Sequence, residues 1–341
     1  MDKLDKLDKS AREENFKKVF DVINTKQNIV ITTHIVPDGD AIGSVISMYL
    51  FLKQKGKNPV VINHSPTPSK FKFLDNGVIR VFEENKEENE AIINNCDLIL
   101  VMDTNEYSRT KSLENILRSS SATKICIDHH MGINPADYDA MISMPQYPAN
   151  CQLLYDFYTT IDENSIDEQM AACMYLGIMT DTGSFRFPRT DENTLMAAAN
   201  LIKRGANPVE LYDIVYGQTS LKKLKLISRF VQGFEFYNEG RFCLAYVTRK
   251  DFEELGLTEE DMEGLSGFTM DIEKVRAAVV ITELKTGLKF SFRSKGNIPM
   301  NLFAKEFGGG GHVNASGARD YELTLEQAKQ KVLSLKDKYI P

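Results

Sequence analysis

A short segment near the start of the chain carries the side chains best suited to chemistry. Residues 33–44 place the imidazole of His34 and the carboxylates of Asp38 and Asp40 within seven positions. The β-branched run before them predicts a buried strand, and the proline and glycine within the segment predict a fixed loop rather than a continuous helix. Carboxylate oxygens together with an imidazole suit a divalent cation such as Mn²⁺ or Mg²⁺. The segment therefore predicts a metal site.

Further candidate ligands lie where other predicted strands and helices end. They are Asp103, Asp128, His129, His130 and Asp181. Each alone has an ordinary structural explanation, such as the capping of a helix. Because the carboxyl ends of parallel strands meet at one edge of a sheet, however, groups at three strand ends are expected to converge there. The conjunction indicates one site built from distant parts of the chain.

The adjacent histidines predict two different roles. In an extended backbone the side chains of His129 and His130 point to opposite sides, so one could bind a metal while the other faces a substrate phosphate. A carboxylate such as Asp103 or Asp181 could bridge two ions. Two ions ~3.5–4 Å apart suit phosphoryl transfer, because they activate a shared water and hold the phosphate oxygens.

A glycine run in the second half of the chain predicts an anion site. Residues 308–311 are four glycines, whose unobstructed amides can cradle an anion, and His312 after them can donate to a phosphate. Arg293, at the end of a predicted strand, offers a planar fork for the same purpose. The alternative is a flexible surface turn with an incidental histidine.

Strands and helices alternate along the first half of the chain. The predicted strands are 28–33, 59–63, 97–102, 123–127 and 140–143. The predicted helices are 40–55, 87–95, 110–119, 150–160 and 167–180. This alternation predicts an α/β fold with a doubly wound, mostly parallel sheet.

The pattern then changes twice. Residues 191–232 predict consecutive helices with Asp191, Asn207 and Thr219 as N-caps. Two hairpins, at 234–247 and 276–294, precede helices near 299–307 and 324–339, which is typical of a smaller mixed α+β domain. We therefore predict a catalytic metal-binding domain at 1–190, a helical connector at 191–233 and a substrate-binding domain at 234–341.

Bulk composition excludes several classes of protein. The chain has 341 residues and a formal net charge of −7. That charge argues against a grip on long nucleic acid, but not against a short nucleotide substrate beside bound cations. No apolar run reaches the roughly 18 residues of a membrane span. The five cysteines form no C-x-x-C pair, which favours reduced core residues of a cytoplasmic protein.

Taken together, these motifs resemble the DHH phosphoesterase superfamily. The matching residues, in chain order, are His34, Asp38, Asp40, Asp103, Asp128, His129, His130 and Asp181. Residues 308–317 look like the G-G-G-H motif of the DHH-associated C-terminal domain, with Ser316 where relatives commonly carry a small apolar residue. The resemblance covers most of residues 15–341. The two-domain layout is most similar to bifunctional oligoribonucleases that also act on phosphoadenosine phosphate.

The resemblance implies a role for each site residue. One Mn²⁺ would be held by His34, Asp38 and Asp103. The other would be held by Asp40, Asp103, His129 and Asp181. His130 would face the scissile phosphate. Substrate phosphate would be bound by Arg293, Gly309, Gly310, Gly311 and His312, in a cleft between the domains.

The implied activity is that of a cytoplasmic Mn²⁺-dependent phosphoesterase, with Mg²⁺ or Co²⁺ as possible substitutes. Hydroxide generated at the two-metal centre would attack phosphorus. The expected substrates are short single-stranded oligonucleotides (nanoRNA), cut to 5′-mononucleotides, and 3′-phosphoadenosine 5′-phosphate, cleaved to AMP. We expect no long duplex and no membrane as partner, and a monomer or homodimer.

Other functions remain open at the level of sequence. A phosphodiesterase of linear or cyclic dinucleotides, such as pApA or cyclic di-AMP, shares the metal core. So do an exopolyphosphatase or pyrophosphatase and a processive exonuclease. A nucleotide-binding regulator without catalysis belongs to another class, and the presence of every expected ligand argues against it.

Overall fold

The computed structural model describes residues 9–262 and 264–340. By its internal contacts the chain divides into two compact units, Met1–Gln218 and Thr219–Pro341. Each unit has its own sheet and its own apolar core, and each is described by itself below.

The first unit alternates helices and parallel strands. Its strands are β1 (Asn28–Thr32), β2 (Asn58–Asn63), β3 (Ile79–Val81), β4 (Leu98–Met102), β5 (Thr123–Asp128) and β6 (Ala140–Ser143). Its helices are α1 (Lys9–Asn24), α2 (Gly39–Gln54), α3 (Lys72–Asp75), α4 (Lys86–Asn94), α5 (Glu114–Ser119), α6 (Asn150–Asp162), α7 (Glu168–Asp181), α8 (Glu192–Lys203) and α9 (Pro208–Tyr216).

The six strands form one parallel sheet in the order β3-β2-β1-β4-β5-β6. Apolar residues cover both of its faces: Ile31 and Leu100 belong to one cluster, and Val30 and Ile99 to another. The predicted doubly wound fold is therefore confirmed. Strand order reverses between β1 and β4, and in such sheets ligands bind outside the carboxyl ends of the strands at that switch point.

Two predicted features differ from the structure. The segment predicted as a helix at 110–119 starts as 3-10 turns, because Lys111 has φ 53, and only α5 is α-helical. The N-caps Asp191 and Asn207 are confirmed. Thr219 is wrong as the third N-cap, since the hydroxyl of Ser220 accepts the amide of Lys223 at 3.1 Å.

The second unit is a mixed α+β fold. Its helices are α10 (Leu221–Gln232), α11 (Arg249–Leu255), α12 (Leu265–Met270), α13 (Met300–Lys305) and α14 (Leu325–Tyr339). Its strands are β7 (Glu235–Tyr237), β8 (Phe242–Val247), β9 (Ala277–Glu283), β10 (Leu288–Ser294), β11 (Gly310–Gly311) and β12 (Ala315–Asp320). The strand order is β11-β12-β10-β9-β8-β7.

Both predicted hairpins are present, as the antiparallel pairs β7–β8 and β9–β10, whereas β8 and β9 run parallel. The predicted connector is shared between the units, because α8 and α9 lie in the first and α10 in the second. The domain boundaries of the sequence analysis stay predictions. All five cysteines are free thiols. None of the helices in the described residues is long and apolar enough to span a membrane.

Candidate metal centre and phosphate-binding residues

The start of α2 fixes the first two carboxylates. Asp38 caps the helix, and its Oδ1 accepts the amide of Ala41 at 3.0 Å. Asp40 is fully buried, with its Oδ2 2.6 Å from the amide nitrogen of Asn150 and its Oδ1 2.8 Å from that of Cys151. Those amides open α6, so Asp40 lies at the positive ends of two helices. This placement fixes a carboxylate whose burial would otherwise be unfavourable.

A glycine makes room for this arrangement. Gly177 lies on α7, and a Cβ there would come 2.7 Å from Oδ1 of Asp40 and would also overlap the sulfur of Cys151. Any larger residue would therefore push α7 away from α2 and displace Asp40. The same helix ends at Asp181, so the position of this later carboxylate depends on the close approach.

Asp103 lies at the centre of the candidate site. It follows β4 with φ 54, an uncommon conformation for a residue other than glycine, and is 1% exposed. Its Oδ2 is 3.7 Å from Nε2 of His34, and its Oδ1 is 3.3 Å from Nε2 of His129. This Oδ1 is buried and makes no hydrogen bond with the described residues. Because buried polar atoms are almost always satisfied, the oxygen fits a metal ligand.

The two histidine rings are oriented from behind. Nδ1 of His34 lies 2.9 Å from the carbonyl oxygen of Ile35, and Nδ1 of His129 lies 3.1 Å from that of Tyr147. A carbonyl requires the proton on Nδ1, which leaves Nε2 directed at the carboxylates and available to a metal ion. Metal-binding histidines are commonly held in this way.

Three groups of ligand atoms lie close enough to hold a cation, each within 4.8 Å. They are His34 with Asp38 and Asp103, Asp40 with His129 and Asp181, and Asp103 with His129 and His130. The structure thus brings all six predicted metal ligands together. Asp103 is within reach of both predicted sets, and the donor atoms fit divalent cations. The assignment of each residue to an ion stays a prediction.

The electrostatics of this cluster also favour a cation. Burial and then the charge of Asp103 raise the pKa of Asp40 to about 7. Burial and then the charge of Asp40 raise the pKa of Asp181. Burial opposes a charged His129, but the attraction of its ring to Asp103, whose Oδ1 lies 3.3 Å from Nε2, prevails and raises the pKa of His129 to about 10. The cluster therefore retains protons that a bound metal ion would displace.

His130 is held differently from His129. Its Nδ1 lies 2.7 Å from Oδ1 of Asp128, and its backbone amide donates to Oδ2 of Asp128 at 2.9 Å. The side chain of His130 is 23% exposed, while Asp128 is fully buried. Nδ2 of Asn105 also donates to the carbonyl oxygens of His130 and Met131. Asp128 thus orients His130, whereas the carbonyl of Tyr147 orients His129, and both rings lie near Oδ1 of Asp103.

Sequence reasoning grouped Asp128 with candidate ligands and missed its orienting contact with His130. The signal was available, since an aspartate two positions before a histidine at a strand end can reach both its amide and its ring. Sequence reasoning also missed the amides of Asn150 and Cys151, which hold Asp40. No local pattern could reveal these, because they are more than a hundred positions away.

In the second unit the register places Arg293 and His312 on one face of the sheet. Arg293 of β10 lies opposite Ala315 of β12, and His312 exchanges both backbone hydrogen bonds with the same alanine, at 2.9 and 3.2 Å. The two side chains therefore leave the same face, about two strand spacings or ~10 Å apart. Arg293 is half-buried, donates to the carbonyl of Phe292 and forms no ion pair with the described residues.

The glycine run has a structural role of its own. The amides of Gly308 and Gly309 donate to carbonyls at the end of α13, and a Cβ at Gly309 would come 2.6 Å from that of Ala318. Gly310 and Gly311 form β11. The amides of the first two glycines are thus engaged within the fold, contrary to the expectation of an open run. The substrate role of Gly309, Gly310 and Gly311 stays a prediction.

Comparison with known families agrees with this architecture. The DHH family, N-terminal domain, matches residues 28–178, which include five of the six predicted metal ligands. The DHHA1 domain matches residues 239–340, which include Arg293 and His312.

Individual proteins are similar over most of the chain. The "Bifunctional oligoribonuclease and PAP phosphatase NrnA" of Thermus thermophilus is 30% identical over 94% of this chain and 93% of its own length. An exopolyphosphatase-related protein from Bacteroides fragilis has a crystal structure with a TM-score of 0.91 and 27% identity, covering 96% of this chain and 98% of that one.

A third relative is longer. The cyclic-di-AMP phosphodiesterase PdeA of Listeria monocytogenes is 24% identical over 94% of this chain, but over only 49% of its own length. The family matches and the extent of these similarities fit the convergence of acidic and histidine side chains in the first unit. We conclude that this chain belongs to the DHH phosphoesterase family, that it is a hydrolase, and that its second unit carries a DHHA1 domain.

Proposed function

We propose that this protein is a manganese-dependent phosphoesterase with two related substrates. It degrades short single-stranded oligonucleotides to 5′-mononucleotides, and it cleaves 3′-phosphoadenosine 5′-phosphate to AMP. The observation that carries the proposal is the buried Oδ1 of Asp103, which has no hydrogen-bond partner and lies between two groups of ligands. The activities in the name of the Thermus thermophilus relative support the choice of substrates.

The residues of the first unit prepare the site before substrate arrives. A pair of divalent cations, when bound, lowers the pKa of water and neutralises phosphate oxygens. His34, Asp38 and Asp103 would hold one of them, and Asp40, His129 and Asp181 would complete the second set with Asp103. The backbone carbonyls behind His34 and His129 keep their rings directed inward.

His130 is the group that meets the scissile phosphate. Asp128 fixes its Nδ1 side, so the opposite nitrogen, Nε2, is directed away from that carboxylate. From there an imidazolium can donate to a non-bridging phosphate oxygen and stabilise the charge that develops on it. Asp128 acts as a positioning residue, because its carboxylate contacts His130 and not the adjacent His129.

Arg293 and His312 supply substrate binding from the second unit. The guanidinium of Arg293 can donate two parallel hydrogen bonds to one phosphate, and His312 adds a second donor on the same face. Burial lowers the pKa of Arg293, since its charge is not neutralised by a carboxylate of the described residues. An anionic ligand would relieve that unfavourable burial.

A dinucleotide phosphodiesterase is the second candidate, and the similarity to PdeA favours it. It would use the same metal-binding residues and differ in what the second unit recognises. The comparison also shows that PdeA has as much sequence again outside the matched region.

The decisive assay measures initial rates on one panel of substrates. The panel contains 3′-phosphoadenosine 5′-phosphate, the linear dinucleotide pApA, cyclic di-AMP, a five-mer RNA and polyphosphate, each with Mn²⁺, Mg²⁺ and Co²⁺. We expect turnover of the first compound and of the five-mer, fastest with Mn²⁺. Hydrolysis of cyclic di-AMP alone would establish the second candidate instead. Tight nucleotide binding without turnover would contradict both.

A further inference from the structure

A cavity of about 630 Å³ lies within the second unit, near one end of its sheet. Ile298 and Ile340 give it an apolar part. Its cations are Arg241, Lys274, Arg276 and Lys295, and its carboxylates are Glu239 and Glu273. Four positive and two negative groups leave a net charge of +2 among these lining residues. A cavity of this size with both apolar and charged walls suits a small organic anion.

The described residues around the cavity do not neutralise its cations. Among the described residues, none of the four forms an ion pair with a carboxylate, although two glutamates line the same space. Two of the side chains use backbone carbonyls instead: Nε of Arg241 donates to Asn238 at 3.2 Å, and Nζ of Lys295 donates to Ile272 at 3.2 Å. A carbonyl satisfies a donor without cancelling its charge, so the positive field persists.

Backbone hydrogen bonds fix three of these cations side by side. The amide of Arg276 donates to the carbonyl of Arg241 at 2.8 Å, and the amide of Lys295 donates to the carbonyl of Arg276 at 2.8 Å. Three neighbouring segments of the backbone thus each carry a cation at the same end of the sheet, and adjacent segments are ~4.8 Å apart. These hydrogen bonds continue the pairing just beyond the ends of β8, β9 and β10, and they hold the three residues together.

The cavity continues directly from the predicted phosphate-binding residues. Lys295 follows Arg293 by two positions along the same strand direction, so their Cα atoms lie ~6.6 Å apart. That distance is on the scale of one nucleotide step along an extended single strand. A phosphate bound at Arg293 would therefore have its neighbouring nucleotide beside Lys295 and Arg276.

We propose that this cavity binds one nucleotide of a short oligonucleotide, next to the phosphate held by Arg293. The nucleobase lies against Ile298, and the phosphate lies against Arg241 and Arg276. This inference rests on the proposed function. It explains how one site can act on both substrates: a five-mer occupies the cavity, whereas 3′-phosphoadenosine 5′-phosphate has no further nucleotide to place there.

The test compares two double variants of the full-length, Mn²⁺-loaded enzyme. Arg241→Gln with Arg276→Gln removes two cavity charges, and Lys250→Gln with Lys285→Gln removes two exposed charges elsewhere in the second unit. KM is measured for a five-mer RNA and for 3′-phosphoadenosine 5′-phosphate at several salt concentrations. Melting temperatures confirm that both variants fold.

We expect the cavity variant to raise KM for the five-mer about tenfold and to change the ratio of the two KM values by a similar factor. The slope of log KM against log salt for the five-mer should also fall by roughly 0.7 for each lost phosphate contact. The control variant should keep the KM ratio of the wild type. An equal change for both substrates, or no change in salt dependence, would overturn the inference.

Two further measurements separate the possible failures. Fluorescence anisotropy of a labelled five-mer with the full chain in EDTA reports binding without hydrolysis. If the wild type binds but hydrolyses neither substrate, the proposed function fails while the cavity can still be judged. The second measurement adds AMP to the wild type and to the cavity variant. If AMP alters hydrolysis by the wild type only, while KM for the five-mer is the same in both proteins, the cavity binds a free nucleotide. In that case the inference is wrong.

Discussion

The two units hold their functional side chains in opposite ways. In the first, Asp40 and Asp103 are buried and held by backbone groups or buried partners. In the second, Arg293 is half-buried, and His312 and Arg276 are exposed. Cleavage needs ligand atoms fixed before the substrate arrives, whereas recognition of a flexible chain needs charges that the substrate can reach. The difference assigns chemistry to the first unit and recognition to the second.

The same contrast is visible in the charges. The first unit concentrates carboxylates: burial first, and then repulsion between carboxylates, raise the pKa of Asp40 and Asp181. In the second unit, Arg293 and the four cations of the cavity have no carboxylate partner among the described residues. The acidic centre would bind cations from solution, and the basic residues of the second unit would bind an anion. Variants of the first unit should therefore change kcat, and variants of the second unit should change KM.

The largest effect is expected from the centre of the acidic cluster. Asp103→Ala and His129→Ala should each lower kcat about a thousandfold, because each removes a ligand that two-metal catalysis depends on. Release of AMP from 3′-phosphoadenosine 5′-phosphate measures it. Asp21→Ala, which removes an exposed carboxylate on α1, is the control and should keep wild-type activity. Normal activity of the Asp103 variant would refute the assignment.

A smaller effect is expected from the residues beside the metal ligands. His130→Ala should lower kcat about a hundredfold, through loss of charge stabilisation on the phosphate. Asp128→Asn should lower it by about tenfold, because the ring stays but its orientation is no longer fixed. KM should change little in both, and manganese content should stay at the wild-type level. If Asp128→Asn loses manganese, Asp128 is a ligand and its positioning role is wrong.

The second unit should respond in KM. Arg293→Gln should raise KM for both substrates about tenfold, because the bidentate phosphate contact is lost. The metal centre remains intact, so kcat should change less than KM. Arg249→Gln, at an exposed arginine of α11, provides the comparison and should leave KM unchanged. A fall in kcat with an unchanged KM would place Arg293 outside substrate binding.

The smallest effect is a pH dependence of stability without metal. The pKa of His129, ordinarily 6.5, is raised to about 10 in the fold, where its interaction with Asp103 outweighs burial. The folded protein then binds more protons than the unfolded chain between these values, so stability falls as pH rises from 6.5 to 10. We expect a decrease of a few degrees in melting temperature in EDTA across this range.

His129→Gln is the matched control for that pH dependence, since it retains a polar side chain and cannot titrate. Its melting temperature should vary less with pH than that of the wild type. Manganese should also flatten the wild-type curve, because a bound ion replaces the proton on His129. Identical slopes for wild type and variant would show that another group controls the pH dependence.

The sequence predicted that the metal-binding side chains converge, but it did not predict the contacts that hold them in place. Parallel strands bring their carboxyl ends to one edge of the sheet, so the sequence pattern alone predicts that His34, Asp103 and His129 lie together. The amides that hold Asp40 come from α6, whose approach depends on the packing of α2, α6 and α7. That packing relies on Gly177, and a single glycine in a helix gives no reliable signal.

The second unit shows a related limit. Its hairpins are predictable from turn residues and its glycine run from composition, but hydrogen bonding decides which of the glycine amides are free. Gly309 donates to α13, and its missing side chain serves close packing against β12. The basic cavity combines residues just outside the ends of β8, β9 and β10 with Ile340, and composition alone does not reveal such a group.

Anomalous diffraction from crystals soaked in Mn²⁺ tests the central claim most directly. The account predicts two manganese peaks ~3.5–4 Å apart, one on each side of the carboxylate of Asp103. A single peak, or peaks that do not share Asp103 as a ligand, would contradict it.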